Sequence, residues 1–248
     1  MLMQPIVDLR SGEMRQVEAL ARLMLGDRPD DEPIGPQLFL SLLDDEGVDL
    51  LLRESVGQAL SAVAGWEAEE LHLTASVNLA PSSLRHPHCA DWVATLLDRH
   101  AVSADRLVLE LLEDDVIDSP KQIESLDGLR GLGVALALDD FGSGHSNPER
   151  LALLPADIVK LDRAFSVSPR SASPHAREAV TELIELGRAA GCQVVMEGIE
   201  NAGQAELART LGADLGQGYY FARPMPVDDV PAWLAAHPAR PAQRGASG

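Results

Sequence analysis

Short apolar runs alternate with longer amphipathic stretches along most of this 248-residue chain. Runs of five to nine residues rich in Val, Ile and Leu, bounded by turn residues, are typical of strands. We predict eight strands, at residues 5–9, 14–21, 71–79, 106–112, 134–140, 157–162, 192–197 and 213–221. Apolar residues at three- and four-residue spacing predict helices at residues 36–64, 88–100, 120–131, 148–154, 174–190 and 201–211.

This alternation of strands and helices predicts an α/β fold, either a (β/α)8 barrel or a doubly wound sheet. The length of 248 residues suits a single barrel, which takes about 250. Only the short stretch SGE joins the first two strands, and this indicates a hairpin rather than a crossover helix. A barrel in this chain would therefore begin with an antiparallel pair.

The composition of the chain excludes some classes of function. The net charge of −19 argues against binding to a DNA or RNA polymer, and it favours divalent cations wherever carboxylates converge. No apolar stretch reaches the ~18 residues that span a membrane, and the start MLMQPIVDLR lacks the layout of a signal peptide. We expect a cytoplasmic protein with reduced Cys89 and Cys192. One domain is expected over residues 1–236, followed by a flexible tail over residues 237–248.

Polar residues mark the ends of seven successive predicted strands. They are Glu18, Asn78, Glu110, the pair Asp139 and Asp140, Lys160, Glu197 and Gln217. In parallel α/β folds the functional residues gather where strands end, so we expect these side chains to lie together. Taken alone, Glu18 is explained as a solvated charge and Lys160 as a snorkelling lysine. The joint pattern is not explained in this way, because charges on buried parallel strands are costly unless they are paired or bound to metal.

The chemistry of these residues indicates hard metal ions. Carboxylate and amide oxygens suit magnesium or manganese rather than zinc, since no His or Cys lies among them. Adjacent Asp139 and Asp140 could supply a carboxylate that bridges two ions, provided that the last residue of the strand turns inward. Paired hard metals most often serve phosphate-ester hydrolysis. His86 and His88 are interpreted as surface histidines, and residues 142–144 are too short for a nucleotide-binding glycine motif.

Seven motifs carry a family resemblance. In chain order they are VEALARL, SVNLAP, LELLE, LDDFGSG, VKLD, MEGIE and GQGYYF. From residue 4 to residue 224 the chain resembles an EAL-type cyclic di-GMP phosphodiesterase. The resemblance implies a modified (β/α)8 barrel with one antiparallel strand. It also implies a homodimer that uses two Mg²⁺ or Mn²⁺ ions to hydrolyse cyclic di-GMP to linear pGpG.

The resemblance further implies a role for each matching residue. The first ion would be held by Glu18, Asn78, Glu110 and Asp139. The second ion would be bridged by Asp139, with Asp140 beside it and Glu197 near. The catalytic residues would be Lys160, in contact with the attacking water, Glu197 as general base, and Gln217, which helps to place the water. Gln4 and Arg22 would contact the substrate, and Glu113 and Glu200 would anchor the loop after Asp140.

Some positions depart from the family pattern. The loop after Asp140 reads FGSGHSNPERL where FGTGYSSL is usual, with the largest departures at residues 145, 147 and 148. Leu23, Leu112 and Met196 also replace common family residues. None of these changes removes a predicted metal ligand or the lysine. We therefore expect them to affect rate and regulation more than chemistry.

Two other functions are compatible with parts of this pattern. A degenerate EAL module would bind cyclic di-GMP or a protein partner as a sensor, without cleavage. An enolase-like barrel that acts on a carboxylate substrate would also use acids and a lysine at strand ends. Retention of Glu18, Asp139, Asp140 and Lys160 favours an active hydrolase over the sensor, and the EAL and DDFG contexts together disfavour the enolase-like barrel.

Overall fold

The strands close into a single barrel. The computed structural model describes residues 1–26, 33–113, 116–142, 151, 154, 156–166 and 173–238. The strands are β1 (Leu2–Asp8), β2 (Met14–Leu20), β3 (Thr74–Asn78), β4 (Leu107–Leu112), β5 (Ala135–Phe141), β6 (Ile158–Leu161), β7 (Gln193–Met196) and β8 (Leu215–Gln217). Neighbours in sequence pair in order, and β8 pairs with β1. The barrel alternative is confirmed, and every predicted strand is present, although the last is much shorter than residues 213–221.

Strand β1 is the one antiparallel member of the barrel. It runs antiparallel to both β2 and β8, whereas the other neighbouring strands pair in parallel. The predicted hairpin is confirmed, and Asp8 shapes it: its Oδ1 accepts hydrogen bonds from the backbone N–H of Arg10 at 2.9 Å and Ser11 at 2.7 Å. A side chain that satisfies the backbone in this way stabilises a tight turn. The start of β1 consequently lies at the same rim as the ends of the parallel strands.

The helices surround the barrel. They are α1 (Pro36–Phe39), α2 (Asp45–Ala68), α3 (Cys89–His100), α4 (Pro120–Gly131), α5 (Pro174–Ala189), α6 (Ala202–Leu211) and α7 (Val230–Ala236). The helix predicted at residues 36–64 is in fact two, because Asp44 caps a new helix by accepting the Gly47 N–H at 2.9 Å. Helix α7 was not predicted, and the helix predicted at residues 148–154 lies largely outside the described residues. No described helix combines the length and the apolar character needed to cross a membrane.

The barrel interior is layered. A small apolar cluster fills its middle, formed by Ile6, Val108, Ala137, Ile158, Val195 and Leu215. Side chains two residues apart on a strand share a face. The next interior layer toward the rim therefore consists of the residues two positions away, namely Gln4, Glu110, Asp139, Lys160, Glu197 and Gln217. The apolar layer forms a dry floor beneath this polar layer.

Candidate functional site

Lys160 lies at the centre of the polar layer. Its side chain is 1% exposed, and its Nζ lies 2.8 Å from Glu197 Oε1 and 2.9 Å from Glu110 Oε2. The same Nζ lies 3.2 Å from Asp139 Oδ1 and 3.6 Å from Glu18 Oε2. Four carboxylates from different parts of the barrel thus converge on one ammonium group. A single positive charge does not balance four carboxylates, so the site favours additional cations.

The protonation of these groups follows from burial and crowding. Burial alone would lower the pKa of Lys160, but the surrounding carboxylates, Glu110 foremost, raise that pKa well above its usual value. Burial raises the pKa of Glu110 to about 8 and that of Glu197 to about 7, although Lys160 opposes both shifts. Lys160 is therefore a permanent hydrogen-bond donor at neutral pH. Glu197 is able to exchange a proton near neutrality.

Glu18 contacts the side-chain amides of Gln217 and Asn78 as well as Lys160. Gln217 Nε2 donates a hydrogen bond to Glu18 Oε2 at 2.6 Å, and Asn78 Nδ2 lies 3.5 Å from Glu18 Oε1. Within the described part of the chain, the buried oxygens Glu110 Oε1 and Gln217 Oε1 have no hydrogen-bond partner. A buried oxygen without a partner costs about 1–3 kcal/mol. These oxygens are available as ligands.

The two adjacent aspartates reach the site through a local break in β5. The pairing register between β5 and β6 shifts between Leu138 and Phe141, and Asp140 adopts a left-handed conformation with φ of 56°. The Asp140 N–H donates to Asp139 Oδ1 at 3.0 Å. Regular alternation would place neighbouring side chains on opposite faces, so this break confirms the predicted inward turn. Burial raises the pKa of Asp140 to about 6, and the neighbouring carboxylates of Asp139 and Asp162 contribute to the same shift.

The donor set fits hard divalent cations. Ligand oxygens of Asp139, Asp140 and Glu197 lie within 4.8 Å of one another. The nearby groups of Glu18 and Glu110 also offer oxygen, and Glu110 Oε1 lacks a partner among the described residues. Among the described residues no sulfur or imidazole lies in this group, and crowded carboxylates with excess negative charge suit Mg²⁺ or Mn²⁺.

The predicted loop-anchoring residues occupy different environments. Glu113 is 2% exposed, and its Oε2 accepts a hydrogen bond from the Gly142 N–H at 2.8 Å. Its own N–H donates to the Asp139 carbonyl at 2.8 Å, so it connects the end of β4 to residues 139–142. Glu200 is exposed beside α6, and its N–H donates to Gln204 Oε1 at 2.7 Å. Residues 145–148, where the sequence departs most from the family, lie outside the described residues.

Of the two predicted substrate residues, Gln4 belongs to the polar layer and Arg22 lies at the rim. Gln4 Oε1 accepts from Gln217 Nε2 at 3.3 Å, and Gln4 Nε2 donates to the Ala222 carbonyl at 3.4 Å. Arg22 follows β2 at the same rim and is half-buried, with Nη1 donating to the Ala21 carbonyl at 2.7 Å. Apart from Glu200 and Arg22, the structure therefore places the predicted site residues in one cluster or in direct contact with it, and Arg22 lies at the rim beyond the end of β2.

The sequence analysis missed Asp162. This residue lies near Asp140, since its carboxylate helps to raise the pKa of Asp140. Its Oδ1 also accepts the Ala164 N–H at 2.6 Å, which caps a short 3₁₀ helix after β6. Asp162 follows directly after β6, two residues from Lys160, and this spacing was the signal that could have identified it.

Comparison with known proteins agrees with this geometry. The family model for the EAL domain matches residues 1–224. The chain belongs to the EAL-domain family. Cyclic di-GMP phosphodiesterase NbdA of Pseudomonas aeruginosa is 34% identical over 241 residues, covering 94% of this chain and 30% of that protein. Cyclic di-GMP phosphodiesterase RocR of the same organism is 32% identical over 225 residues, covering 90% of this chain and 56% of that protein.

The fold comparison gives the same family. The solved structure of the PaMucR phosphodiesterase in complex with c-di-GMP superimposes with a TM-score of 0.81 at 30% identity, covering 92% of both chains. This EAL chain spans less than a third of the length of several curated relatives that it matches.

Proposed function

We propose that this EAL domain hydrolyses cyclic di-GMP to linear pGpG with two Mg²⁺ or Mn²⁺ ions. The observation that carries the proposal is the convergence of four carboxylates on Lys160, with Asp140 beside Asp139 and Glu197. The names of NbdA and RocR, and the c-di-GMP complex of PaMucR, support this choice of substrate. We place the activity in residues 1–236; most of the tail expected over residues 237–248 lies outside the described residues.

We assign the metal ligands as follows. Glu18, Asn78, Glu110 and Asp139 would hold the first ion, and Asp139 and Asp140, with Glu197 near, would hold the second. Bound divalent cations lower the pKa of a water ligand and offset negative charge on phosphate oxygens. The neutralisation of the carboxylates is essential, because the dianionic substrate would otherwise meet a strongly acidic site.

The protein groups then orient and deprotonate the water. Glu197, whose Oε1 lies 2.8 Å from Lys160 Nζ, is the carboxylate that accepts the water proton. Lys160 stays protonated and donates hydrogen bonds, but its three N–H groups already face carboxylates. A water that Lys160 orients must therefore replace one of these contacts. Gln217, which donates to Glu18 Oε2, helps to place this water.

The substrate is held in line by residues at the rim. Arg22 suits a phosphate oxygen, since the guanidinium group presents several donors in a fixed plane. Gln4 contacts the substrate from the antiparallel strand beside Gln217. In the reaction the water oxygen bonds to phosphorus and its proton passes to Glu197, while the bond from phosphorus to the ribose 3′ oxygen breaks. That oxygen takes up a proton from solvent, so that the product is linear pGpG with a 5′-phosphate. Homodimer formation is a proposal based on the family resemblance.

A turnover assay tests the proposal. The full chain is incubated with cyclic di-GMP and Mn²⁺, with and without a chelator, and pGpG is measured by chromatography. We expect pGpG only with free Mn²⁺ and little cleavage of cyclic di-AMP, a control for the base. Binding of cyclic di-GMP without turnover would instead favour the sensor function. The absence of both binding and turnover would refute the proposal.

A further inference from the structure

Two glycines directly follow two of the proposed catalytic residues. Gly198 follows Glu197 at the end of β7 and has φ of 65°. A Cβ atom at this position would overlap the Cβ of Arg163 and lie 3.0 Å from the Arg163 Cα. Arg163 begins the 3₁₀ helix Arg163–Phe165, three residues after Lys160. The turns after β6 and β7 therefore approach each other more closely than any residue with a side chain at position 198 would allow.

The second glycine makes a similar contact one strand further along. Gly218 follows Gln217 and has φ of 154°. A Cβ atom there would overlap the backbone N and O of Ile199 and lie 2.7 Å from its carbonyl carbon. Two hydrogen bonds join the same segments: the Ile199 N–H donates to the Gln217 carbonyl at 3.0 Å, and the Tyr220 N–H donates to the Ile199 carbonyl at 2.9 Å. The turns after β7 and β8 are thus in backbone contact.

We propose that Gly198 and Gly218 are positioning residues that set the spacing between Lys160, Glu197 and Gln217. The inference rests on the proposed function, because the spacing matters for catalysis only if these three groups act together. Each glycine lets one turn contact the next, so the three turns that carry the catalytic groups form one interlocked unit. If position 198 carried a Cβ atom, the turns after β6 and β7 would have to move apart by about 1 Å to reach an ordinary carbon–carbon contact distance. The contact between Lys160 Nζ and Glu197 Oε1, now 2.8 Å, spans the same two strands and would be disturbed by that shift.

Backbone strain alone is a separate effect, and the chain offers a matched control for it. Gly191 precedes β7 and has φ of 86°, but a Cβ atom there would meet nothing within 4 Å. Gly191→Ala therefore imposes a strained backbone conformation without a steric overlap, at the opposite end of the same strand. Gly198→Ala imposes both the strained backbone conformation and the steric overlap. The difference between these two variants isolates the close approach of the turns.

The experiment is a double-mutant cycle on the full chain, with Gly198→Ala, Arg163→Gly and the combined variant, beside Gly191→Ala. Arg163 is exposed, and its removal to Gly deletes the atom that a new Cβ at position 198 would overlap. For Gly198→Ala we expect kcat for cyclic di-GMP to fall about 100-fold while KM changes less than about threefold. Gly191→Ala and Arg163→Gly alone should keep kcat within about threefold of the unaltered chain.

Rescue distinguishes positioning from a merely structural role. In the combined variant kcat should recover to within about tenfold of the unaltered chain. Gly218→Ala should also lose kcat, but no substitution at Ile199 would rescue it, because the overlapping atoms belong to the backbone. Retention of full activity by Gly198→Ala, or failure of the combined variant to fold or to turn over, would overturn the proposal.

A second measurement separates this proposal from the proposed function. If the unaltered chain binds Mn²⁺ but produces no pGpG, the proposed function is refuted. The positioning role of Gly198 is then tested by Mn²⁺ affinity alone. Because Glu197 lies with Asp139 and Asp140, Gly198→Ala should bind Mn²⁺ about tenfold more weakly than Gly191→Ala. Equal Mn²⁺ affinity in these two variants would count against the positioning role.

Discussion

Lys160 Nζ lies 2.9 Å from Glu110 Oε2, and both residues are 1% exposed. A buried pair of ionisable groups is weak support for stability in itself, since each group loses its hydration. Here the pair belongs to a larger group in which carboxylates outnumber the ammonium. The arrangement is better explained as a cation-binding site in which Lys160 supplies part of the compensating charge.

Removal of that ammonium should separate turnover from binding. Lys160→Met keeps most of the side-chain volume but leaves the carboxylates without their internal counter-charge. We expect kcat to fall about 100-fold or more, while the affinity for cyclic di-GMP in the presence of Mn²⁺ changes little. Pre-steady-state turnover and calorimetry measure the two quantities. Lys121→Met, at the only other lysine and on an exposed face of α4, is the matched control and should behave as the unaltered chain. Full activity of Lys160→Met would refute the role of Lys160.

The raised carboxyl pKa values predict how stability depends on pH in the absence of metal. The pKa is about 8 for Glu110 and about 7 for Glu197, above the usual 4.5. The folded chain therefore holds protons that the unfolded chain has released, and stability falls as the pH rises from 4.5 through 8. The raised pKa of Lys160 contributes nothing in this window, since lysine is protonated in both states. In chelator we expect the melting temperature to fall by about 10 °C or more between pH 5.5 and 8.5.

Two controls test this assignment. Glu110→Gln should make the decline shallower, because one of the two groups that release a proton is absent. With Mn²⁺ the stabilisation should grow with pH, since the cation competes with protons for the same oxygens. A melting temperature that rises with pH in chelator would contradict the predicted burial of these carboxyls.

The barrel was predictable because its elements are encoded locally. Apolar runs marked the strands, and the short SGE connection marked the antiparallel pair. The break before α2 was not predicted, because apolar residues continue at helical spacing through Leu40 and Leu43, and the cap at Asp44 resembles an ordinary surface residue. The ends of β8 were overestimated for a similar reason, since aromatic residues after Gln217 resemble a strand.

The site could be predicted from the sequence for those residues that lie at or near the ends of strands. Parallel strands bring their ends to one rim, and this geometry is enough to assemble Glu18, Glu110, Asp139 and Lys160. The left-handed conformation of Asp140 and the contacts of Gly198 and Gly218 depend on segments distant in sequence. No local sequence pattern indicates which turns at the rim will contact each other. Such features require the structure.

Asp140 offers a test of the second metal ion. Asn tolerates the left-handed conformation that Asp140 adopts, so Asp140→Asn should keep the fold while it removes one ligand charge. We expect one of two Mn²⁺ binding events to weaken at least about tenfold, since affinity for hard cations depends on ligand charge. Isothermal titration calorimetry resolves the two events. Asp127→Asn, at an exposed position of α4, is the control. Two unchanged Mn²⁺ affinities in Asp140→Asn would exclude Asp140 as a ligand.

Glu113 and Glu200 should differ in their effects, because the structure places one in the interior and the other in solvent. Glu113→Ala leaves the Gly142 N–H without its acceptor and loosens residues 139–142, so we expect the unfolding free energy to fall by about 1–3 kcal/mol. The same change should lower kcat, because Asp139 and Asp140 lie in that segment. Glu113→Gln keeps an acceptor oxygen and should retain more of both quantities. Glu200→Ala should cause a smaller loss in both thermal melts and turnover assays, since its side chain is exposed. Equal losses in Glu113→Ala and Glu200→Ala would show that the Glu113–Gly142 hydrogen bond does not hold the metal-binding segment in place.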